Sequence, residues 1–154
     1  MRELTVNKND AGQRLDRFVG KAVPLLPESL LQKYIRLKRI KLNGKGAKRD
    51  ERVKQGDVLQ LYINDEFFEA PSDENAYLKI TAPKLGIVYE DENILLADKR
   101  PGVLCHSAGE WSYDTLIANI QAHCYLKGDW NPRGENSFAP ALCNRIDRNT
   151  GGIV

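Results

Sequence analysis

The sequence predicts an α+β chain made of two units, and three features predict it. Apolar residues recur at helical spacing over 15–22 and 30–35, and short alternating runs bounded by Asn-Gly or Gly-Asp turns read as antiparallel strands. The charge also changes sign partway along. Residues 1–64 hold 15 Lys and Arg against 7 Asp and Glu, whereas 65–154 hold the other 8 against 14, so a net +8 precedes a net −6. Such a swing points to two units with different partners, the first either facing a polyanion or carrying a solvated lysine-rich surface. A length of 154 residues accommodates one ordinary domain or two small ones. With 42% hydrophobic and 29% charged residues, the chain reads as globular rather than disordered. No apolar run reaches the roughly 18 residues that span a bilayer, and MRELTVNKND lacks the apolar stretch of a signal peptide. Cys105, Cys124 and Cys143 form no CxxC pair, so no disulfide framework is expected. The expectation is a soluble, cytoplasmic protein with no membrane partner.

In chain order, Leu4 and Val6 alternate with polar residues and open a short strand. Asp10 and Gln13 have capping-box spacing, which predicts a helix start near Ala11. Leu15, Phe18, Val19 and Ala22 form its apolar stripe, and Pro24 and Pro27 end it, Pro27 suiting the first turn of the next helix. In that second helix Leu30, Leu31, Tyr34 and Ile35 form the buried face while Lys33 and Arg36 face solvent. Ile40 and Leu42 then alternate with cations, Asn43-Gly44 marks a hairpin turn, and Leu59, Leu61 and Ile63 make a closing strand after the Gly56-Asp57 turn. Lys33, Arg36, Lys38, Arg39, Lys41, Lys45, Lys48 and Arg49 would together form a phosphate-binding strip.

Residues 65–84 are acidic, carry Pro71 and Pro83, and read as a linker with Phe67 and Phe68 as anchors. GIVYE and NILLADK then read as two strands joined by Asp91-Glu92-Asn93, and Leu116, Ile117, Ile120 and Cys124 as an amphipathic helix beginning near Asp114. Residues 127–138, with Pro132 and Gly134, read as loop, and APALCNRID as a strand entering a turn. On this pattern the second unit is α+β or α/β. Its last segment, CNRIDRNTGGIV, sets Asp147 between Arg145 and Arg148 ahead of Thr150, Gly151 and Gly152. Two arginines favour the ionised carboxylate, and glycines allow close approach of a bulky ligand. An Asp–Arg surface pair beside a glycine turn has the same pattern.

Other constellations carry less. Cys105-His106 and His123-Cys124 are adjacent pairs, which point to opposite faces of a strand and have no zinc-ligand spacing, so no metal is expected. Gly102 and Gly109 belong to no GxGxxG pattern, and Trp111 and Trp130 read as partial core.

RLDRFV at 14–19, SLLQKYIRLKRIKLNG at 29–44 and QGDVLQLY at 55–62 resemble an S4 RNA-binding domain, with two helices on a bent β-hairpin. CNRIDRNTGG is similar to the H-R-L-D-x-x-T-S-G motif of the RluA-type pseudouridine synthases. IVYEDENILLADKRPGVLCHS at 87–107 is similar to that family's first motif, a strand pair leading through a K-P-x-G-type turn into an apolar strand. The resemblance implies an S4 domain over 1–64, a linker over 65–84, and the N-terminal part of a mixed, mainly antiparallel catalytic sheet over 85–154. Asn144 replaces the family's usual His, Gly152 its Ser, and the turn reads Lys99-Arg100-Pro101-Gly102. The family's catalytic domain continues beyond the position matching Val154, so the resemblance implies an incomplete sheet, self-association, and little activity for this stretch alone.

The implied reaction is isomerisation of uridine to pseudouridine in structured RNA, ribosomal RNA foremost, with no cofactor. Asp147 is the implied essential carboxylate, which either attacks C1′ or removes the 2′ proton. Arg145 would hold the RNA open beside the flipped base, Arg148 would contact phosphate or carboxylate, and Thr150, Gly151, Pro101 and Gly102 would shape the turns. The alternative is a non-catalytic S4-type RNA-binding protein.

Overall fold

In the computed structural model, which describes residues 1–132 and 138–154, the chain divides into two compact units, Met1–Pro71 and Ser72–Val154. The first holds strand β1 (Arg2–Thr5), helices α1 (Leu15–Ala22) and α2 (Glu28–Arg36), and strands β2 (Ile40–Leu42), β3 (Lys45–Gly46) and β4 (Val58–Leu61). Its antiparallel sheet runs β1-β4-β2-β3, so the closing strand pairs with both the first strand and the hairpin. Leu59 lies opposite Leu4 on one side and Leu42 on the other, and Leu61 opposite Ile40. Period-two alternation sends all of these to the helix-covered face, where Leu15, Val19, Val23, Leu25, Ile40, Val53, Leu59 and Leu61 are fully buried.

The hairpin turn forms where Asn-Gly predicts it. Asn43 (φ 49) and Gly44 (φ 79) are both left-handed, as a tight primed turn requires. Asn43 Oδ1 accepts from the Val58 amide at 2.9 Å and its Nδ2 donates to Asp57 at 2.9 Å, tying the turn to β4.

Other details differ from expectation. The first helix begins at Leu15 rather than near Ala11, because Asp10 accepts a hydrogen bond from the Asn7 amide and closes a turn there instead of capping a helix. Ala22 is exposed and Leu30 half-buried. At the start of α1, Asp16 is held by the guanidiniums of Arg14 (2.6 Å) and Arg49 (3.2 Å). Burial opposes ionisation of Asp16, but these hydrogen bonds outweigh it and keep the carboxyl below the usual range.

The second unit holds β5 (Ile87–Glu90), β6 (Leu95–Lys99), α3 (Leu116–Lys127) and β7 (Gly152–Ile153), with an antiparallel sheet ordered β5-β6-β7. The turn between β5 and β6 forms as predicted, Asp91 Oδ1 accepting from the amides of Asn93 (2.7 Å) and Ile94 (2.8 Å). Ala97, Cys105, Leu116, Ile120 and Val154 form the core, with Leu95, Val103, Leu142 and Ile146 packed against it.

Helix α3 starts at the Thr115 cap, whose hydroxyl accepts from the Ala118 amide. It is not the amphipathic helix expected. Leu116 to Ile120 and Ala122 are all buried, because the sheet side and residues 76–84 enclose its first turns. Buried Asn119 is satisfied by Asp114 Oδ1, the Thr115 carbonyl and the Lys84 amide.

Residues 65–84 are packed at both ends. Phe67 is buried in the first unit and Phe68 lies under the Arg2 guanidinium, 4.5 Å from its ring centre. In the second, Tyr77 meets Tyr125 and Trp130 edge-on at 5.5 and 5.0 Å. Two further predicted elements are absent as such: 139–147 is irregular, and Val103–Cys105 form no strand. Leu104 and Cys105 instead give their carbonyls to the amides of Leu116 and Ile117, the first donors of α3. Gly134, read as loop, lies outside the described residues.

At the end of β5, Glu90 accepts from His123 (3.0 Å) and Lys127 (3.3 Å) of α3. Burial works against its charge, but the two hydrogen bonds and the neighbouring cations hold its carboxyl below the ordinary 4.5. A carboxyl depressed on folding contributes stability above the unfolded value and loses it as pH falls through the folded one. The stability of wild type over Glu90→Gln should therefore be present at neutral pH and be lost in acid as pH falls through the carboxyl's depressed value, measured by urea titrations. A difference that persists unchanged in strong acid would contradict the pairing.

Candidate functional site

Period-two alternation along β6 places Leu95, Ala97 and Lys99 on one face, so a lysine ends the strand pointing inward. Lys99 is 2% exposed, and among the described residues it has no carboxylate partner. Its Nζ instead donates to three carbonyls: Val103 at 2.8 Å, Arg148 at 3.0 Å and Arg100 at 3.2 Å. An ammonium has three donors and all three are used, which is what makes its burial tolerable. One partner lies 49 residues along the chain, so the ammonium joins the 100–103 turn to the turn containing Asp147.

Three further contacts hold these turns together. The Gly102 amide donates to the Arg148 carbonyl at 2.7 Å, from a left-handed backbone (φ 94) that suits glycine. Gly151 lies so close to Pro101 that a Cβ would sit 3.1 Å from its Cδ and 3.4 Å from the Lys99 carbonyl. The Thr150 amide closes the turn on the Asp147 carbonyl at 3.0 Å. Beyond it, Gly152 and Ile153 pair with Lys99 and Asp98, and Val154 exchanges two hydrogen bonds with Ala97. Pro101, Gly102, Thr150 and Gly151 thus all lie at one junction.

Asp147 stands exposed on this anchored turn, and Arg145 and Arg148 are exposed beside it. Ile146 packs into the core between them, its carbonyl accepting from the Cys105 thiol at 3.4 Å. Among the described residues no ion pair joins Asp147 to Arg145 or Arg148; both guanidiniums stand in solvent, where a surface pair gains little. Asn144 donates to the Ile153 carbonyl at 3.3 Å. Sequence reasoning assigned Lys99 no role, although its place in the alternation of β6 marks it as inward-facing. It also read Trp111 as partial core. Trp130 is buried at 6% exposure, but Trp111 is 39% exposed because its loop projects away from the core.

The basic strip is a second grouping. Lys33 and Arg36 are exposed in the last turn of α2, where the helix dipole favours cations. Lys38, in the left-handed region (φ 55), turns the chain out of the helix. Arg39 lies 5.5 Å from the ring centre of Tyr34, and half-buried Lys41 5.1 Å from that of Tyr62. Lys45 projects from the hairpin opposite Leu42. None of these six is ion-paired among the described residues. Arg49 departs from the strip because it holds Asp16, whereas Lys48 stays exposed.

Among the described residues no three His, Cys, Asp or Glu side chains are grouped to hold a metal ion, and His123 is occupied by Glu90. Burial, with the acids Glu90 and Asp129 beside it, pushes the Cys124 thiol up, away from nucleophilic character. No described helix is long and apolar enough to cross a membrane.

Both units are α+β with antiparallel sheets, and their sequence aligns end to end with one class of enzyme. The chain is homologous along essentially its whole length to proteins named RNA pseudouridine synthases, which are isomerases. It is 33% identical over 153 residues to an uncharacterized RNA pseudouridine synthase of Mycoplasma genitalium, covering 99% of this chain and 46% of that protein. It is 28% identical over 152 residues to the ribosomal large subunit pseudouridine synthase D of Neisseria meningitidis, covering 98% and 37%. An uncharacterized RNA pseudouridine synthase of Bacillus subtilis is 22% identical over 152 residues, with 99% and 46% covered. The chain spans about half the length of such relatives. No protein-family model matches it.

Replacing Lys99 by Met keeps the volume and removes the donors. It should lower stability by about 2 kcal/mol or more, since buried carbonyls lose their partner. Urea denaturation followed by the fluorescence of buried Trp130 measures this, and a loss below about 0.5 kcal/mol would mean the ammonium holds nothing.

Proposed function

We propose that this protein isomerises uridine to pseudouridine in structured RNA, ribosomal RNA in particular, with Asp147 as the essential carboxylate. The observation that carries the reading is the pinned turn. Lys99, Gly102 and Gly151 fasten its backbone to β6 while Asp147 remains open to solvent. A rigid backbone under an accessible carboxylate is what reaction at a sugar carbon demands. Homology to proteins named for this reaction supports it.

The target uridine is first drawn from its stack, at a cost of a few kcal/mol. Asp147 then either attacks C1′ and displaces uracil to form an ester, or removes the 2′ proton as the N1–C1′ bond breaks. The uracil turns, C5 bonds to C1′ with release of the carboxylate or return of the 2′ proton, and C5 gives up its proton while N1 gains one. Arg145, exposed on the same turn, stacks on or pairs with the RNA beside the flipped base, and Arg148 meets phosphate. The reaction is an internal transfer, so it consumes no redox equivalent and no water.

The first unit, in this reading, is an S4-like RNA-binding domain over 1–64. Its unpaired cations, interleaved with Tyr34 and Tyr62, follow the backbone of folded RNA. Those cations also favour a second reading, in which the chain binds RNA through this unit without catalysis. Exposed Ile87, Val88 and Tyr89 on the edge strand β5 would support self-association.

In the complete protein, Asp147→Ala should abolish pseudouridine formation on ribosomal RNA transcripts while leaving RNA affinity within about threefold. Normal turnover in that variant would remove Asp147 from the mechanism. Reversing charge at Lys33, Arg36 and Arg39 should weaken binding and make log K fall less steeply with log salt by about two to three units of slope. An unchanged slope would mean the strip faces something other than RNA.

A further inference from the structure

Among the described residues two that are not glycine hold a positive φ, Asn43 (φ 49) and Lys38 (φ 55). Asn43 is explained by its turn, since its side chain bonds Asp57 and the Val58 amide. Lys38 has no such local reason. It is the left-handed residue that ends α2. Its amide donates to the Ile35 carbonyl at 3.0 Å and the Arg39 amide to the Tyr34 carbonyl at 2.9 Å, the paired bonds of a helix terminus that ordinarily carries glycine. A lysine there is strained by the approach of its Cβ to the following carbonyl oxygen. Among the described residues no side-chain hydrogen bond or ion pair of Lys38 offsets that strain.

Gly46 is the converse. It lies in β3 opposite Lys41, its backbone is not left-handed, and glycine weakens a strand. A Cβ at Gly46 would stand 3.1 Å from Lys38 Cγ and 3.3 Å from its Cδ. The aliphatic stem of Lys38 therefore crosses the hairpin over Gly46. Backbone preference alone would put glycine at 38 and a side chain at 46. The chain does the reverse, and both exchanges seat one lysine.

The surroundings say what the seated ammonium meets. Arg39 follows Lys38 in the chain, Lys45 precedes Gly46, and Lys33 and Arg36 end the helix, all of them exposed. Complementing the helix terminus does not account for Lys38, because Lys33 and Arg36 already do so from ordinary helical backbone. A strained backbone that adds a cation among like charges disfavours the fold on both counts, so its benefit lies in an external anion. An ammonium binds phosphate as a point charge, and a stem held in advance loses less freedom on binding.

We infer that Lys38 is a preformed phosphate contact of the first unit, receiving a backbone phosphate of folded RNA between Arg39 and Lys45. It contributes more affinity than the untethered cations around it. The inference rests on the proposed RNA partner and holds whether or not that RNA is isomerised.

The test uses the complete protein and a fluorescein-labelled RNA hairpin in anisotropy titrations. Lys38→Asn keeps a side chain that tolerates the left-handed region. It should bind about tenfold more weakly, with log K falling less steeply with log salt by about one unit. Lys33→Gln and Lys45→Gln should each lose only about twofold, and Lys38→Arg should retain most of the affinity. Lys38→Gly should unfold about 2–5 °C above wild type while binding as weakly as Lys38→Asn, a split that a merely structural lysine does not give. Lys38→Gly less stable than wild type would make the side chain a packing element and overturn the inference. So would Lys38→Asn binding no more weakly than Lys33→Gln, although the hairpin would then still be bound and the RNA reading would stand. Wild type that binds polyglutamate and not the hairpin would sink both. Pseudouridine formation reads the isomerase separately: its absence in wild type, with the affinity pattern intact, would remove the isomerase and leave Lys38 in place.

Discussion

One buried ammonium governs the second unit. Lys99 is carried inward by strand periodicity and meets no carboxylate among the described residues, so its charge is compensated by three carbonyl dipoles. Carbonyls converge on one point only when the turns carrying them are folded together. The ammonium therefore makes the order of the 100–103 turn conditional on that of the 147–150 turn. An unsatisfied buried charge costs several kcal/mol, so the arrangement is strongly two-sided. Gly102 and Gly151 follow from it: the turns approach so closely that one glycine supplies a left-handed amide and the other leaves room for the Pro101 ring.

The division between anchored backbone and free side chain has a functional sense. Everything that fixes the Asp147 turn acts through carbonyls, amides and glycine, and none of it uses the carboxylate or the guanidiniums of Arg145 and Arg148. Those groups stay solvated and unpaired among the described residues, ready for a ligand. Had Asp147 been spent on an arginine, as Asp16 is spent on Arg14 and Arg49, the same loop would have been a structural corner. The basic strip shows the same economy, because Arg49 is consumed by the fold while six neighbouring cations remain available.

Local patterns determined much by themselves. The stripe of α1 and α2, the Asn43-Gly44 hairpin, the β5–β6 pair and the inward face of β4 all rest on interactions between residues close in sequence or on strict periodicity. Such features need no knowledge of what lies across the core. The exposed aspartate between two arginines was equally legible, because it was a linear motif.

Tertiary contacts decided the rest. Helix α1 starts beside Asp16, which is held by Arg49 from 33 residues further along, rather than near Ala11. Val103–Cys105 became the carbonyl cap of α3 instead of a strand, and residues 76–80 packed into the core beside it, because enclosing the first turns of α3 required both. Trp111 came out exposed and Trp130 buried, though nothing in their local sequence distinguishes them. Lys99 joined residues 49 positions apart. A sequence determines the face on which a side chain emerges, but partners so distant along the chain meet only once the sheet has been assembled.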